Sequence, residues 1–443
     1  MNHNSSGKVI TLALCVLFSA ACPVRAQGAN ENPAKNALPT PDELRFVVIV
    51  SRHGVRSPTG KLDELNHYSN QPWPLWSVPP GYLTENGAQL MTLMGAYDRA
   101  LLAEEGLLAQ HGCEDAAHIR ILADSDQRTR ETGRALAAGL APGCNLAVAA
   151  LPEGTADPLF HPVAAGVGSP DRKLAASAVS GRIGGNPQGL TEAYRPQLNA
   201  LEQILHACDP GADCRKEPAS LLDIPASLGP GKGDHLVDLH TPLALASTMT
   251  ENLLLEYADG MDAKNIGWGR VDAGKLRDLL QLHTAGEDIS QRTEYIARVQ
   301  SSNLLFHALQ SMTQSAEGRA VTGSLTQPDD RLLLLVGHDT NIANIAGALG
   351  LSWLVDGRRD DTPPGGALVF ELWKKAGSGE YSVRTFFVAQ TLDQMRNRTA
   401  LSLKAPPERV PVFLPGCGRA DGACDWSSFR KAIEAGIDPA FIK

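Results

Sequence analysis

The stretch Leu44-Arg45-Phe46-Val47-Val48-Ile49-Val50, running straight into Ser51-Arg52-His53-Gly54-Val55-Arg56, decides how this chain is read. A continuous β-branched and aromatic run without polar alternation is the pattern of a strand buried on both faces, as in parallel sheets covered by helices. Arg331-Leu332-Leu333-Leu334-Leu335-Val336 repeats the pattern and ends at Gly337-His338-Asp339. Ile119-Arg120-Ile121-Leu122-Ala123 predicts a further short strand, and the segments 367–373 and 381–388 predict late strands. Helical spacing is expected over 83–105, opening at Thr84, and from Gln127 to Leu140, where Pro142-Gly143 stops it. Strands alternating with helices place the chain in the α/β class, with a mainly parallel central sheet.

Between about 151 and 300 the character changes. Pro- and Gly-rich stretches at 165–190 and 209–233 separate helix-like runs at 191–207 and 243–258. The expected layout is an α/β domain from 42–150 and 301–443, with a smaller, mainly helical domain inserted at 151–300. After Arg292-Thr293-Glu294 a helix through Leu309 returns the chain to the sheet.

The 443 residues carry a formal net charge of −9, so the surface as a whole repels nucleic acid and an anionic ligand must be caught locally. Lys8, the apolar run from Val9 to Ala21 and Val24-Arg25-Ala26 read as a cleaved export leader over residues 1–26. Cys22, after Ser19-Ala20-Ala21, leaves lipid attachment open as the alternative. No later segment approaches the roughly 20 apolar residues of a membrane span. A soluble, exported protein is expected, in the periplasm or outside the cell, as a monomer. Six cysteines follow the leader, and in an exported chain Cys208 with Cys214 and Cys417 with Cys424 read as local disulfide loops. Cys113 then pairs with Cys144. Metal binding is the rival account, although no paired C-x-x-C or Cys/His spacing of the zinc kind is present.

Two buried strands thus end in polar clusters, and ligands in open α/β sheets bind beyond the carboxyl ends of strands. Arg52 and Arg56 flank His53, and the planar guanidinium fork suits phosphate oxygens. A neutral imidazole in that setting can attack phosphorus and form a phosphohistidine, while the arginines stabilise charge on the equatorial oxygens. The leaving alkoxide needs a proton, for which the carboxyl of Asp339 is the natural donor. An acid medium, or a pKa raised by the substrate's own charge, would keep it protonated. The cluster Asp124-Ser125-Asp126-Gln127-Arg128 opens a helix, where Arg128 adds a phosphate ligand; a plain helix start capped by Ser125 or Asp126 is the alternative. No H-E-x-x-H or clustered carboxylate set appears, so a metal-independent enzyme without cofactor is expected.

Arg52-His53-Gly54-Val55-Arg56-Ser57-Pro58-Thr59, taken with Gly337-His338-Asp339-Thr340-Asn341, resembles the histidine acid phosphatases, most closely their bacterial periplasmic 6-phytase type. The likeness covers nearly the whole mature chain. It extends to Asp124–Arg130, Ser247–Glu251, Gly267-Trp268-Gly269-Arg270 and Asp361-Thr362-Pro363-Pro364-Gly365-Gly366. The resemblance implies His53 as nucleophile, Asp339 as proton donor, and Arg52, Arg56, Arg128 and His338 as ligands of the scissile phosphate. It also places Thr59, Asp124, Glu251 and Thr340 among the substrate contacts. The implied substrate is a small phosphomonoester, with phytate ahead of glucose 1-phosphate on the strength of Thr59 and Thr340. Gly60 stands before Lys61 where the phytase type usually has lysine directly after the threonine.

Overall fold

The computed structural model describes residues 42–443 except 210, 212, 213, 215, 216 and 420, and these residues form one unit. The expected leader, Cys22 and the lead-in up to residue 41 lie outside the described residues.

The expected buried strand is β1 (Glu43–Arg52), and the second motif is preceded in space by β2 (Ile119–Ala123) and β3 (Val148–Ala149). β4 (Ser227–Pro230) and β5 (Val237–His240) make a separate antiparallel hairpin. β6 (Leu332–Gly337) is the second buried strand. A small hairpin of β7 (Leu354–Val355) and β8 (Arg358–Arg359) precedes β9 (Ala367–Lys374), β10 (Tyr381–Ala389), β11 (Glu408–Pro411) and β12 (Ala423–Asp425). Among the described residues one eight-stranded sheet runs in the order β11-β10-β9-β1-β6-β2-β3, with β12 also on β10. β1, β6, β2 and β3 pair in parallel, which bears out the α/β class and the parallel centre. β9 to β12 add an antiparallel wing.

Side chains alternate across a strand, and both faces of the central strands are buried. Phe46, Val48 and Val50 pack with Leu333 and Leu335 under the helices Glu294–Glu317 and Asp339–Leu349. Leu44, Val47 and Ile49 pack with Leu332, Leu334 and Val336 on the other face, against helices Glu85–Glu104 and Gln127–Leu140. Each such side chain contributes about 1.5–3 kcal/mol by leaving water, which is why these strands read so plainly in the sequence. The third apolar cluster is helical, built around Pro242–Ala258 and Ala273–Ser290.

Thr84 caps the first long helix by accepting the Gly87 N–H at 2.9 Å, as its place before Glu85 predicts. The run at 191–207 divides into Gln188–Ala193 and Arg195–His206, and Arg172–Arg182 is helical inside the Pro/Gly-rich stretch 165–190. There Asp171 caps the helix by accepting the N–H groups of Lys173 and Leu174, a local signal stronger than the surrounding composition. The disulfides join Cys113 to Cys144, Cys208 to Cys214 and Cys417 to Cys424, as expected. Among the described residues no helix is long and apolar enough to cross a membrane.

Candidate active site

Three chain segments leave adjacent parallel strands at the same edge of the sheet. The register Arg52↔Gly337 ends β1 and β6 together, and the His53 N–H still donates to the Gly337 carbonyl at 2.9 Å. Beside them the Asp124 N–H donates to the Val336 carbonyl at 3.0 Å, carrying the β2–β6 pairing one residue further. The Asp361–Gly366 loop closes the fourth side: the Arg52 N–H donates to Gly366 O at 2.8 Å and the Gly365 N–H to His53 O at 2.9 Å. Close packing fixes two motif glycines. A Cβ on Gly54 would stand 2.8 Å from Met91 Cγ and 3.0 Å from the Gly87 carbonyl, and one on Gly337 would stand 2.4 Å from Asn341 Oδ1.

His53 is 1% exposed, with its tip on a cleft of about 580 Å³. Its Nδ1 lies 2.8 Å from the Gly54 carbonyl, which accepts no proton bond unless Nδ1 carries the hydrogen; Nε2 therefore keeps its lone pair. Burial, and then the guanidiniums of Arg128, Arg52 and Arg56, hold the ring well below the ordinary imidazole pKa. The imidazole is thus neutral and oriented, as the expected nucleophilic role requires.

Arg52 is fully buried behind it. One nitrogen donates to Thr362 O at 2.6 Å, and the other meets Glu251 Oε1 and, at 2.9 Å, Asp339 Oδ2. Arg56 Nη2 shares the same Glu251 oxygen at 3.0 Å. Burial by itself would push Asp339 up, but Arg52 and Arg56 outweigh it and hold the carboxyl well below the usual carboxylate range. The free enzyme therefore carries Asp339 ionised, whereas the proton-donor role requires a protonated form once substrate is bound. Thr340 N–H donates to Asp339 Oδ1 at 2.8 Å and fixes its rotamer at the helix start.

His338 and His53 lie edge to face with ring centroids 5.6 Å apart. The His338 backbone N–H donates to Asn341 Oδ1 at 2.8 Å, and Asn341 Nδ2 donates to Phe160 O at 2.8 Å, so the second motif is tied to the loop at 157–167. His338 Nε2 faces Asp124 Oδ2 at 2.7 Å, and its Nδ1 faces Arg128 Nη2 at 3.4 Å. Asp126 is the N-cap residue of the helix Gln127–Leu140, but its side chain makes no cap bond; it pairs with Arg128 at 2.5 Å. The plain-cap alternative for Asp124–Arg128 does not hold, because the carboxylates there face cations.

His53, Arg56, Thr59, Arg128, His338, Asp339 and Thr340 line the one cleft. Arg52, Asp124 and Glu251 stand behind it, each bonded to a residue that does line it. Three neighbours gave no signal in the sequence. His161 bridges Asp124 and Asp234; burial would lower its pKa, but those two carboxylates push it up to about 10. Glu287 places a buried Oε2 with no partner near Asp339 and Glu251, and burial followed by those two charges raises it well above the usual carboxyl value. A His in Phe160-His161-Pro162 and a Glu inside a helix have no local pattern that betrays a cleft.

An anion bounded by two guanidiniums and an imidazole, with a neutral lone pair on one side and a carboxyl on the other, is placed for in-line displacement at phosphorus. Residues 43–209 and 241–388 match the sequence profile of the histidine phosphatase superfamily (branch 2). The chain is 37% identical over 407 residues to phytase AppA of Escherichia coli strain K12, covering 90% of this chain and 93% of that one. It is 29% identical over 437 residues to a glucose-1-phosphatase of Providencia rettgeri, covering 97% and 99%. The fold superposes on the Hafnia alvei phytase in complex with myo-inositol hexakis sulphate with a TM-score of 0.82 at 36% identity, over 92% of this chain and 100% of that one. Extent and identity together carry the activity class, a phosphoric monoester hydrolase, and the chain belongs to branch 2 of the histidine phosphatase superfamily.

Proposed function

We propose that this enzyme hydrolyses phytate and lesser inositol phosphates through a phosphohistidine on His53, in the periplasm or outside the cell. One observation carries the mechanism: His53 Nδ1 is engaged by Gly54 O, so Nε2 meets the cleft as a neutral nucleophile between Arg56, Arg128 and His338. Arg52, Arg56, Arg128 and the His338 imidazole take the phosphoryl oxygens and gain strength as charge moves onto them. Asp124 and Glu251 act from behind, by holding His338 and the two arginines. Thr59 and Thr340, at the mouth, contact the alcohol part.

Asp339 is ionised in the free enzyme, so the proton arrives with the substrate. Below about pH 6 a phosphomonoester is a monoanion, and its proton passes to Asp339 when the bound ester competes for Arg52 and Arg56. Asp339 then gives it to the leaving oxygen, and takes a proton from water as the phosphohistidine is hydrolysed. The leader at 1–26 supplies export, and 151–300 is the insert that roofs the cleft.

Phytate leads because the phytase relatives are the more similar; a glucose-1-phosphatase is the second reading, from the full-length match to the Providencia enzyme. Specificity constants for phytate, glucose 1-phosphate and p-nitrophenyl phosphate at acid pH separate the two. The proposal expects phytate to exceed glucose 1-phosphate by at least tenfold, and the reverse order would replace it.

A further inference from the structure

His161, His338, Asp124 and Asp126 come from three places in the chain, yet one ligand-type atom of each lies within 4.8 Å of every other. The two Nε2 atoms are 3.3 Å apart, and both aim at the same oxygen, Asp124 Oδ2, at 3.1 and 2.7 Å. Asp126 Oδ2 stands 3.8 Å from His338 Nε2. A tetrahedral zinc with bonds of about 2.0–2.1 Å holds its ligands about 3.3 Å apart; the two imidazole nitrogens stand at that spacing, and the other three separations, 2.7 to 3.8 Å, bracket it.

Hydrogen bonds alone account poorly for this crowding. Two imidazoles converge on Oδ2 while Oδ1 of the same carboxylate is buried without a partner. The surrounding shell also has the form seen around metal-binding imidazoles, in which the far nitrogen is held by a carboxylate. His161 Nδ1 lies 2.7 Å from Asp234 Oδ2; Asp234 in turn accepts the Ala164 N–H at 3.1 Å on Oδ1, and its backbone carbonyl accepts from Gln300 at 2.8 Å. Once His161 has given up its proton, two neutral imidazoles and two carboxylates balance the charge of a divalent ion. Asp126, His161 and His338 border the cleft, so an ion has an open path.

We propose that His161, His338, Asp124 and Asp126 form a binding site for a divalent transition ion of the zinc class, set behind the phosphate clamp. The ion touches no reacting atom; it would hold His338 from the Nε2 side and leave Nδ1, which faces Arg128, to the phosphate. It takes Nε2 of His338, draws Asp126 from Arg128, and fastens the loop bearing His161 to the edge of the sheet. Protons compete for both imidazoles, so occupancy rises with pH.

The test is titration of the chelator-treated full-length enzyme with Zn2+ at pH 7 by calorimetry, repeated with Co2+ to read the visible bands of a four-coordinate ion. One equivalent should bind, with intense cobalt bands. His161→Asn should weaken binding at least tenfold and abolish the bands, and Asp234→Asn, which removes only the carboxylate behind the imidazole, should weaken it about tenfold. Asp329→Asn, at the separate cluster with His118 and Asp330, should leave both readings unchanged. If His161→Asn fails to fold by circular dichroism, Asp234→Asn decides alone. Absence of saturable binding, wild-type affinity in the variants that fold, or loss of binding in Asp329→Asn would each overturn the site and leave a purely hydrogen-bonded cluster.

Discussion

Two carboxyls, Asp339 on the cleft at the end of the sheet and Glu256 buried inside the helix Pro242–Ala258, are both largely desolvated and reach opposite charge states. Burial raises both. At Asp339 the guanidiniums of Arg52 and Arg56 overcome it, and the group stays ionised. At Glu256, which is 1% exposed, only the Gly267 N–H donates, at 3.1 Å, and the group is pushed up to about 8. Burial therefore sets the stakes and the nearest cation sets the sign. Glu287 makes the same point nearby: burial, then the charges of Asp339 and Glu251, raise it well above the usual carboxyl value, and Arg52 offsets this only in part.

The largest effect that would break this contrast lies at His53, the proposed nucleophile. His53→Ala should cut turnover by roughly 10⁴-fold or more and remove acid-labile phosphoryl labelling after rapid quench. Labelling that persists would assign the attack to another group.

Next comes Asp339→Asn, which should slow phytate or glucose 1-phosphate by about 10²–10⁴-fold and p-nitrophenyl phosphate by under about tenfold, since p-nitrophenolate leaves without a proton. Equal slowing of all three substrates would take Asp339 out of the donor role.

At the second carboxyl the expected change is in stability. Because the folded-state pKa of Glu256 is raised from 4.5 to about 8, protonation supports the fold fully below pH 4.5, and that support is lost as pH rises through 8. Glu256→Gln should therefore add up to about 3 kcal/mol at pH 7 and nothing at pH 4, read from denaturant unfolding of both proteins. A gain that is the same at both pH values would mean that the buried carboxyl is not what costs stability.

The smallest effect is on the pH profile. With His53 held well below its reference value of 6.5, kcat/KM for p-nitrophenyl phosphate should not fall on going from pH 6.5 to pH 5, and should decline above about pH 6 as the ester loses its second proton. An acid limb centred at 6.5 would mark an ordinary imidazole at the nucleophile.

Much of this was legible in the chain because it depends on neighbours in sequence. The expected strands at 44–50 and 331–336 hold uninterrupted apolar runs at 46–50 and 332–336, and β1 and β6 differ from the expected bounds by one or two residues at the ends. The helix Gln127–Leu140 and the cap at Thr84 follow from local signals. Both motif histidines, placed directly after buried strands, followed from the same runs. The antiparallel wing was not resolved, since 367–373 and 381–388 read as strands whose pairing partners no local pattern names. The hairpin of β4 and β5 and the helix Arg172–Arg182 were hidden by proline- and glycine-rich surroundings.

By itself the sequence offered the candidates for phosphoryl transfer and determined which strands present them, because residue chemistry and burial periodicity are written locally. Only the tertiary structure decided their states: that His53 is neutral with Nε2 free, that Asp339 is ionised beside Arg52, and that His161 meets His338 across 177 positions. Charge state follows from what stands within a few ångströms through space, and here those neighbours come from segments that the chain keeps far apart.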